Sequence, residues 1–173
     1  MDDALRSAEL DVVTIDWDSF ETGTGCFTTI YFNEIWETDH ELVEANPDGV
    51  GEDIVQTLAM VDLFRADLEE LRHQLSAWRR SLISLFERVE LLALPTLPIV
   101  PPRLAEITAD TLVPTIIDIT SHVSLFNAAG VPCTAQPVPT RGSHLPASLQ
   151  LVGPASGEEL LLTTAQRIEA AAS

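Results

Sequence analysis

The most regular hydrophobic pattern of the chain lies between residues 64 and 89, where apolar residues recur alternately after four and three positions. This spacing places them along one face of a single long helix. The positions are Phe64, Leu68, Leu71, Leu75, Trp78, Leu82, Leu85 and Val89. The pattern predicts a helix over 64–89 that packs across the core of its own domain. A coiled coil with a partner helix is the alternative, although the pattern is short for one.

Shorter apolar and β-branched runs predict strands on either side of this helix. Residues 11–16 alternate in polarity and contain Val12, Val13 and Ile15, which favours a strand. Residues 91–94 are all apolar and end at a proline, which is typical of a strand buried on both faces in a mostly parallel sheet. Two further strands are predicted at 132–137 and 147–152.

Other segments read as helices and as the breaks between them. Helical stretches are predicted at 3–10, 27–43 and 157–172, and a loop leading into a helix is predicted over 111–129, broken near Gly130. The glycines around residues 22–24 predict a loop, and residues 46–49 (NPDG) predict a turn. Helices that alternate with short strands indicate an α/β layer structure.

Composition narrows the classes of partner. The chain has 173 residues, with 27 acidic residues against 9 basic ones and a formal net charge of −18. All the basic residues are arginine. Because a surface this negative repels phosphate backbones and anionic lipid, we expect neither nucleic acid nor membrane as a partner. A salt-rich cytoplasm that screens the repulsion and a GC-rich genome that favours arginine over lysine both explain the composition.

Cysteine, histidine and the chain start refine these expectations. Cys26 and Cys133 are far apart, and neither they nor the four histidines show a metal-ligand spacing. We therefore expect reduced thiols, no metal and no cofactor. The acidic start, Met1-Asp2-Asp3, differs from a basic secretory signal, which favours a cytoplasmic location.

Four segments of the second half stand in a fixed order. They are residues 92–98 (LALPTLP), 126–132 (FNAAGVP), 145–153 (LPASLQLVG) and 158–161 (EELL). Together they resemble the amidase-signature family of hydrolases, in which similar segments follow one another in this order. One departure is Ser148, which stands where that family usually has glycine.

The resemblance implies a fold class and a domain organisation. Residues 1–173 would be the C-terminal part of a single amidase-signature domain, with an α/β fold and a mixed sheet flanked by helices. Residues 1–50 would form a helix, strand and loop lead-in, residues 51–90 long helices, and residues 91–173 the strands and closing helix. Such a part is incomplete without the N-terminal half of the domain.

The resemblance also implies a chemistry that this sequence does not contain. Family members cleave C–N bonds with a lysine that acts as base through a bridging serine, while a second serine attacks the carbonyl. This chain has no lysine and no Gly-Ser-Ser segment, so we expect no catalytic residue and no activity of the chain alone. The nearest look-alike, residues 142–144 (GSH), has no identifiable acid partner or oxyanion site.

By the same resemblance, four residues border the substrate channel: Thr96, Val123, Phe126 and Asn127. Structural roles also explain these segments. Gly130 can supply a positive φ after a helix, Pro132 stops that helix, and the Asn127 amide can bridge backbone groups.

Three functions follow as hypotheses. The chain is the C-terminal segment of an amidase-type hydrolase whose N-terminal segment or second subunit supplies lysine and serine, and only the complete enzyme binds a small amide. Alternatively, it is a non-catalytic interaction module that uses the long helix or an open sheet edge. The third possibility is a truncated product without activity.

Overall fold

The computed structural model describes residues 1–140 and 142–172. The helices and strands of this part follow one another along the chain as α1 (Asp2–Ser7), α2 (Phe20–Ala45), α3 (Glu52–Ala59), α4 (Leu68–Phe86), β1 (Leu92–Pro95), α5 (Ala109–Ala129), β2 (Cys133–Val138), β3 (Ala147–Val152) and α6 (Glu158–Ala172). Short 3-10 turns form at Pro47–Gly49, Val61–Phe64 and Leu104–Glu106. No helix in the described ranges is long and apolar enough to cross a membrane.

The three strands form one sheet in the order β1-β3-β2, and both pairs are antiparallel. The predicted strand at 91–94 therefore exists, but its placement in a mostly parallel sheet, buried on both faces, is wrong. It lies at an edge, and Ala93 and Pro95 are exposed. An all-apolar run of four residues carries no information on pairing direction, which here is set by the antiparallel neighbour β3.

Each face of the central strand belongs to a different core, because successive side chains of a strand point to opposite sides. Val152 packs with Trp78 and Leu82 of α4 and with Leu125 and Phe126 of α5. On the other face, Leu149 and Leu151 pack against Leu161 and Ile168 of α6. A third cluster, around Phe32 of α2, joins α2, α3 and the start of α5.

The long helix is shorter than its hydrophobic pattern. It begins at Leu68, because Asp67 caps it with a carboxylate that accepts from the backbone N–H groups of Glu69 (2.9 Å) and Glu70 (3.3 Å). Phe64 lies outside it, in a 3-10 turn, where its ring stacks on Phe32 at 4.2 Å. The middle of the pattern, Leu75 to Leu85, is buried in the core of this chain, which confirms packing within the domain.

The predicted strand at 11–16 is wrong, since the structure assigns these residues to neither helix nor strand. Ile15 packs against the α4 core instead. The following Trp17 stacks on Trp78 at 5.4 Å between ring centroids, and its indole N–H donates to Ser81 Oγ at 3.2 Å. Side-chain contacts with α4, and no strand ladder within the described chain, hold this segment.

The predicted loop at 22–24 is also wrong, because these residues continue helix α2. Gly23 is buried there, and a Cβ added to it would lie 2.6 Å from Trp78 Nε1 and closer still to ring carbons. The glycine therefore allows two helices to approach each other and does not make a turn.

The remaining elements follow the expectations. The helix at 27–43 forms as part of α2, and the turn at 46–49 forms around Pro47–Gly49. The strands at 132–137 and 147–152 and the helices at 3–10 and 157–172 form within a few residues of their predicted bounds. Helix α5 starts earlier than predicted, at Ala109, and ends at Gly130, which has a φ of 71°.

The charge imbalance is not relieved by all of the arginines. Arg79 donates to the carbonyl of Ala128 at the end of α5 (3.0 Å from Nε), and Arg167 donates to that of Ala8 (2.8 Å). Both arginines thus bind backbone carbonyls at helix ends, where a cation is favourable. These two cations join helices to one another, and much of the acidic surface faces solvent.

We expect KCl to stabilise the fold, because raising the salt from about 0.1 M to 1 M shortens the Debye length from about 10 Å to about 3 Å and screens acid–acid repulsion. The measurement is the urea midpoint of unfolding at both concentrations, with a near-neutral protein of similar size as the control. A midpoint that does not rise would favour genomic composition as the origin of the acidity.

Candidate functional site

A hydroxyl pair joins the ends of β1 and β3. Thr96 directly follows β1, and its backbone N–H donates to the carbonyl of Ser148 at 2.9 Å, which extends the ladder by one residue. The side chains meet as well, with 2.7 Å between Thr96 Oγ1 and Ser148 Oγ. One hydroxyl must donate to the other, so one O–H remains without an acceptor among the described residues. That proton is available to a bound group.

A second set of polar contacts ties this end of the sheet to α5. The ring Nδ1 of His122 lies 2.9 Å from the carbonyl oxygen of Pro95, so Nδ1 carries the proton and donates. The buried Gln150 donates from Nε2 to the backbone carbonyl of His122 at 3.3 Å. The edge-to-face contact of Phe20 with His122, 5.3 Å between ring centroids, packs this histidine against α2.

Sequence reasoning identifies Thr96 but misses its partners. Nothing in the spacing of His122 or Gln150 links them to Thr96, since the contacts cross β1, β3 and α5. The sequence marks Ser148 only as a departure from glycine. Its hydroxyl contact to Thr96 is the physical consequence of that departure, because a glycine at this position has no side chain to make it.

The structure distributes the other predicted channel residues over α5. Val123 is half-buried and Asn127 is exposed. Phe126 is 1% exposed and packs in the core with Trp78 and Val152. Thr96, Val123 and Asn127 can therefore be reached from outside the described chain, whereas Phe126 supports α5 from beneath.

Ser143 and His144 lie in the exposed turn between β2 and β3. The Ser143 hydroxyl accepts from the backbone N–H of Leu145 at 3.0 Å, and the Ser143 N–H donates to the Thr140 carbonyl at 3.3 Å. No hydrogen bond joins the side chains of Ser143 and His144 within the described ranges. The geometry thus gives no support to a Ser–His nucleophile here.

The two cysteines lie in different environments and are not bonded to each other. Cys26 is buried, with 4% of its surface exposed, and Cys133 is exposed at the start of β2. Although Cys133 is exposed as a residue, neighbouring atoms desolvate its sulfur and raise the pKa of the thiol to about 11. Across residues 1–140 and 142–172, no three His, Cys, Asp or Glu side chains are grouped to hold a metal ion.

Two shallow depressions lie away from the hydroxyl pair. One of about 260 Å³ is lined mainly by Pro137, Pro139 and Pro146, beside the end of α6. The other, of about 240 Å³, lies between the start of α3 and the start of α5. Neither encloses a set of groups that resembles a catalytic arrangement.

Comparison with known proteins identifies several similar chains. The family model described as Amidase matches residues 3–162. Over 172 residues the chain is 26% identical to a glutamyl-tRNA(Gln) amidotransferase protein of Halobacterium salinarum, covering 96% of this chain and 38% of that protein. Over 87 residues it is 37% identical to 2-amino-5-chloromuconic acid deaminase of Comamonas testosteroni, covering 50% of this chain and 19% of that protein.

A solved structure supports the same fold. Allophanate hydrolase of Kluyveromyces lactis superposes with a TM-score of 0.82 at 20% identity, over 98% of this chain and 28% of that one. The chain therefore spans well under half the length of the proteins that it matches. The expected fold class, part of a larger α/β fold of this type, is confirmed.

Proposed function

Because this chain belongs to the amidase family, we propose that it is the C-terminal part of an amidase-type enzyme that hydrolyses a C–N bond to a carboxylate and an amine or ammonia. One observation carries the proposal: a family match over residues 3–162 in a sequence without lysine. The base and both serines would come from the remaining part of the domain, on the same polypeptide or on a second one. We place this enzyme in the cytoplasm and expect it to need no cofactor.

This chain would contribute a wall of the active site and not its reacting groups. We propose that Thr96, Val123 and Asn127 border the channel of a small amide substrate, with Phe126 holding α5 in place behind them. The unused O–H of the pair formed by Thr96 and Ser148 suits a carbonyl oxygen, because a buried donor without an acceptor costs free energy that such a substrate would recover. We also propose that residues 1–173 belong to one domain, divided as the sequence suggests at about residues 50 and 90.

We expect the purified chain, without the remaining part of the domain, to leave simple amides such as acetamide and benzamide unhydrolysed above background. The physical reason is that no side chain of this sequence supplies the lysine base. Ammonia release measures the result. Addition of a segment that carries the lysine and serines is expected to restore turnover.

The control variant is Ser143→Ala. Turnover by the chain alone that survives this change would contradict the proposal, and turnover that disappears with it would favour the Ser–His interpretation of residues 142–144. Loss of restored turnover on mutation of the added lysine, and not on Ser143→Ala, is the pattern that the proposal requires.

A non-catalytic interaction module is the second candidate. The open outer edges of β1 and β2 in the described chain favour it, since unpaired strand edges add strands from other chains readily. The two functions differ in what co-purifies with the chain. An amidase segment with a lysine favours the enzyme, whereas an unrelated protein at a sheet edge favours the module.

A further inference from the structure

The chain exposes more surface than a protein of its size should. Its accessible surface is 10997 Å² for a mass of 18.9 kDa. A compact monomer of that mass exposes about 8,300 Å². The excess, roughly 2,700 Å², matches or exceeds the roughly 1,000–2,500 Å² that each partner buries in a large obligate interface. The fold therefore has the surface of a partner from which its counterpart has been removed.

One part of the sheet shows where cover is missing. Cys133, Ala135 and Pro137, called here the β2 strip, are exposed and point to one face of β2. Their cross-strand partners on β3 are Val152, Gln150 and Ser148, and the first two of these are buried beneath α4 and α5. Helices thus cover this face at β3 and stop before β2.

The other face of β2 does not share this feature. Val138 points to that side and is 1% exposed, because α6 packs against it. A strand buried on one face only, beside a fully buried central strand, is typical of a sheet that continues or receives another layer. Ala93 and Pro95 leave a shorter bare edge on the α6 side of β1.

An apolar connection adjoins the β2 strip. Residues 97–107 leave the sheet beside Ser148, the partner of Pro137, and include Val100 and Leu104, which are 76% and 88% exposed. Neighbouring apolar residues at the sheet end and in this connection form a larger surface than scattered single residues would.

We propose that the β2 strip is the surface on which the remaining, lysine- and serine-bearing part of the amidase domain packs. This inference rests on the proposed function and adds the position of the interface. The short side chains of the strip allow a strand or helix backbone to approach closely. A second copy of this chain is the less suitable occupant, because each copy carries a net charge of −18 and like charges repel.

Cys133 makes the proposal measurable. Alkylation with N-ethylmaleimide requires the thiolate, so the rate for Cys133 should rise about tenfold per pH unit up to the pKa of about 11. The buried Cys26 serves as the internal control. The probe partner is a recombinant segment of the Halobacterium salinarum relative that corresponds to the part this chain does not match.

We expect Cys133 to be alkylated in the chain alone and to react at least tenfold more slowly in the complex, while Cys26 reacts slowly in both. A complex that forms and restores turnover but leaves Cys133 equally reactive would overturn the position of the interface and leave the proposed function intact. Failure to form any complex and to restore turnover would overturn both.

A pair of variants tests the same surface independently of labelling. Ala135→Arg places a long charged side chain in the strip and is expected to weaken association at least tenfold. Ala77→Arg, on the exposed side of α4, is the matched control and should leave association unchanged. Both variants are first compared with the unaltered chain by circular dichroism. Equal association of the two folded variants would contradict the proposal.

Discussion

Replacing Leu82 by alanine is expected to lower the free energy of unfolding by about 2–5 kcal/mol, the usual cost of a large cavity in a core. Leu82 is 1% exposed and lies among Trp78, Leu125 and Val152, which come from α4, α5 and β3. The cavity would therefore open where the helices meet the sheet, and no exposed side chain is close enough in the core to refill it cheaply.

The measurement is urea unfolding of the two chains at equal concentration. Ile83→Ala is the matched control, because Ile83 follows Leu82 on the same helix and is 61% exposed. Its effect should stay within about 0.5 kcal/mol, as for most surface substitutions. If Leu82→Ala left stability unchanged and instead dissociated a dimer, the coiled-coil interpretation of the 64–89 pattern would be correct.

Replacing Gly23 by alanine is expected to destabilise the fold by about 1–3 kcal/mol, the typical cost of overpacking. The added methyl group would overlap the Trp78 ring, which is 2% exposed and stacked on Trp17. The ring has no free space on either face, so α2 and α4 would have to separate.

Gly25→Ala supplies the control for this effect. Gly25 lies in the same helix, and nothing within 4 Å would meet its added Cβ. Because alanine is the better helix former, this change should stabilise the chain by about 0.5–1 kcal/mol. Thermal unfolding of both variants checks the difference, and equal shifts would show that Gly23 does not set the helix separation.

The elements that the sequence predicts well are those whose signal is local. Residues 147–152 form a strand with the predicted bounds, and Gly130 ends α5 with the positive φ that a glycine allows. The loop at 22–24 fails because the reason for Gly23 is a tryptophan more than 50 positions away. Local reasoning sees a helix breaker where the structure uses a gap between helices.

The candidate site is predictable only as motifs. The order of the four segments indicates the family, yet the contact of Thr96 with Ser148 and the link from Gln150 to His122 depend on strand order and on the position of α5. The sequence places these residues on separate elements. Their meeting follows from the antiparallel pairing, which the apolar run at 91–94 does not reveal.

The order of the strands in the sheet has a consequence for synthesis. β3 is the last of the three strands to leave the ribosome and yet lies between the other two, so neither β1 nor β2 has its partner until it appears. Leu92 pairs with Val152, about 60 residues later, which takes roughly 3–12 s at 5–20 residues per second. For that time an apolar strand waits unpaired on the nascent chain, within reach of chaperones and of other nascent chains.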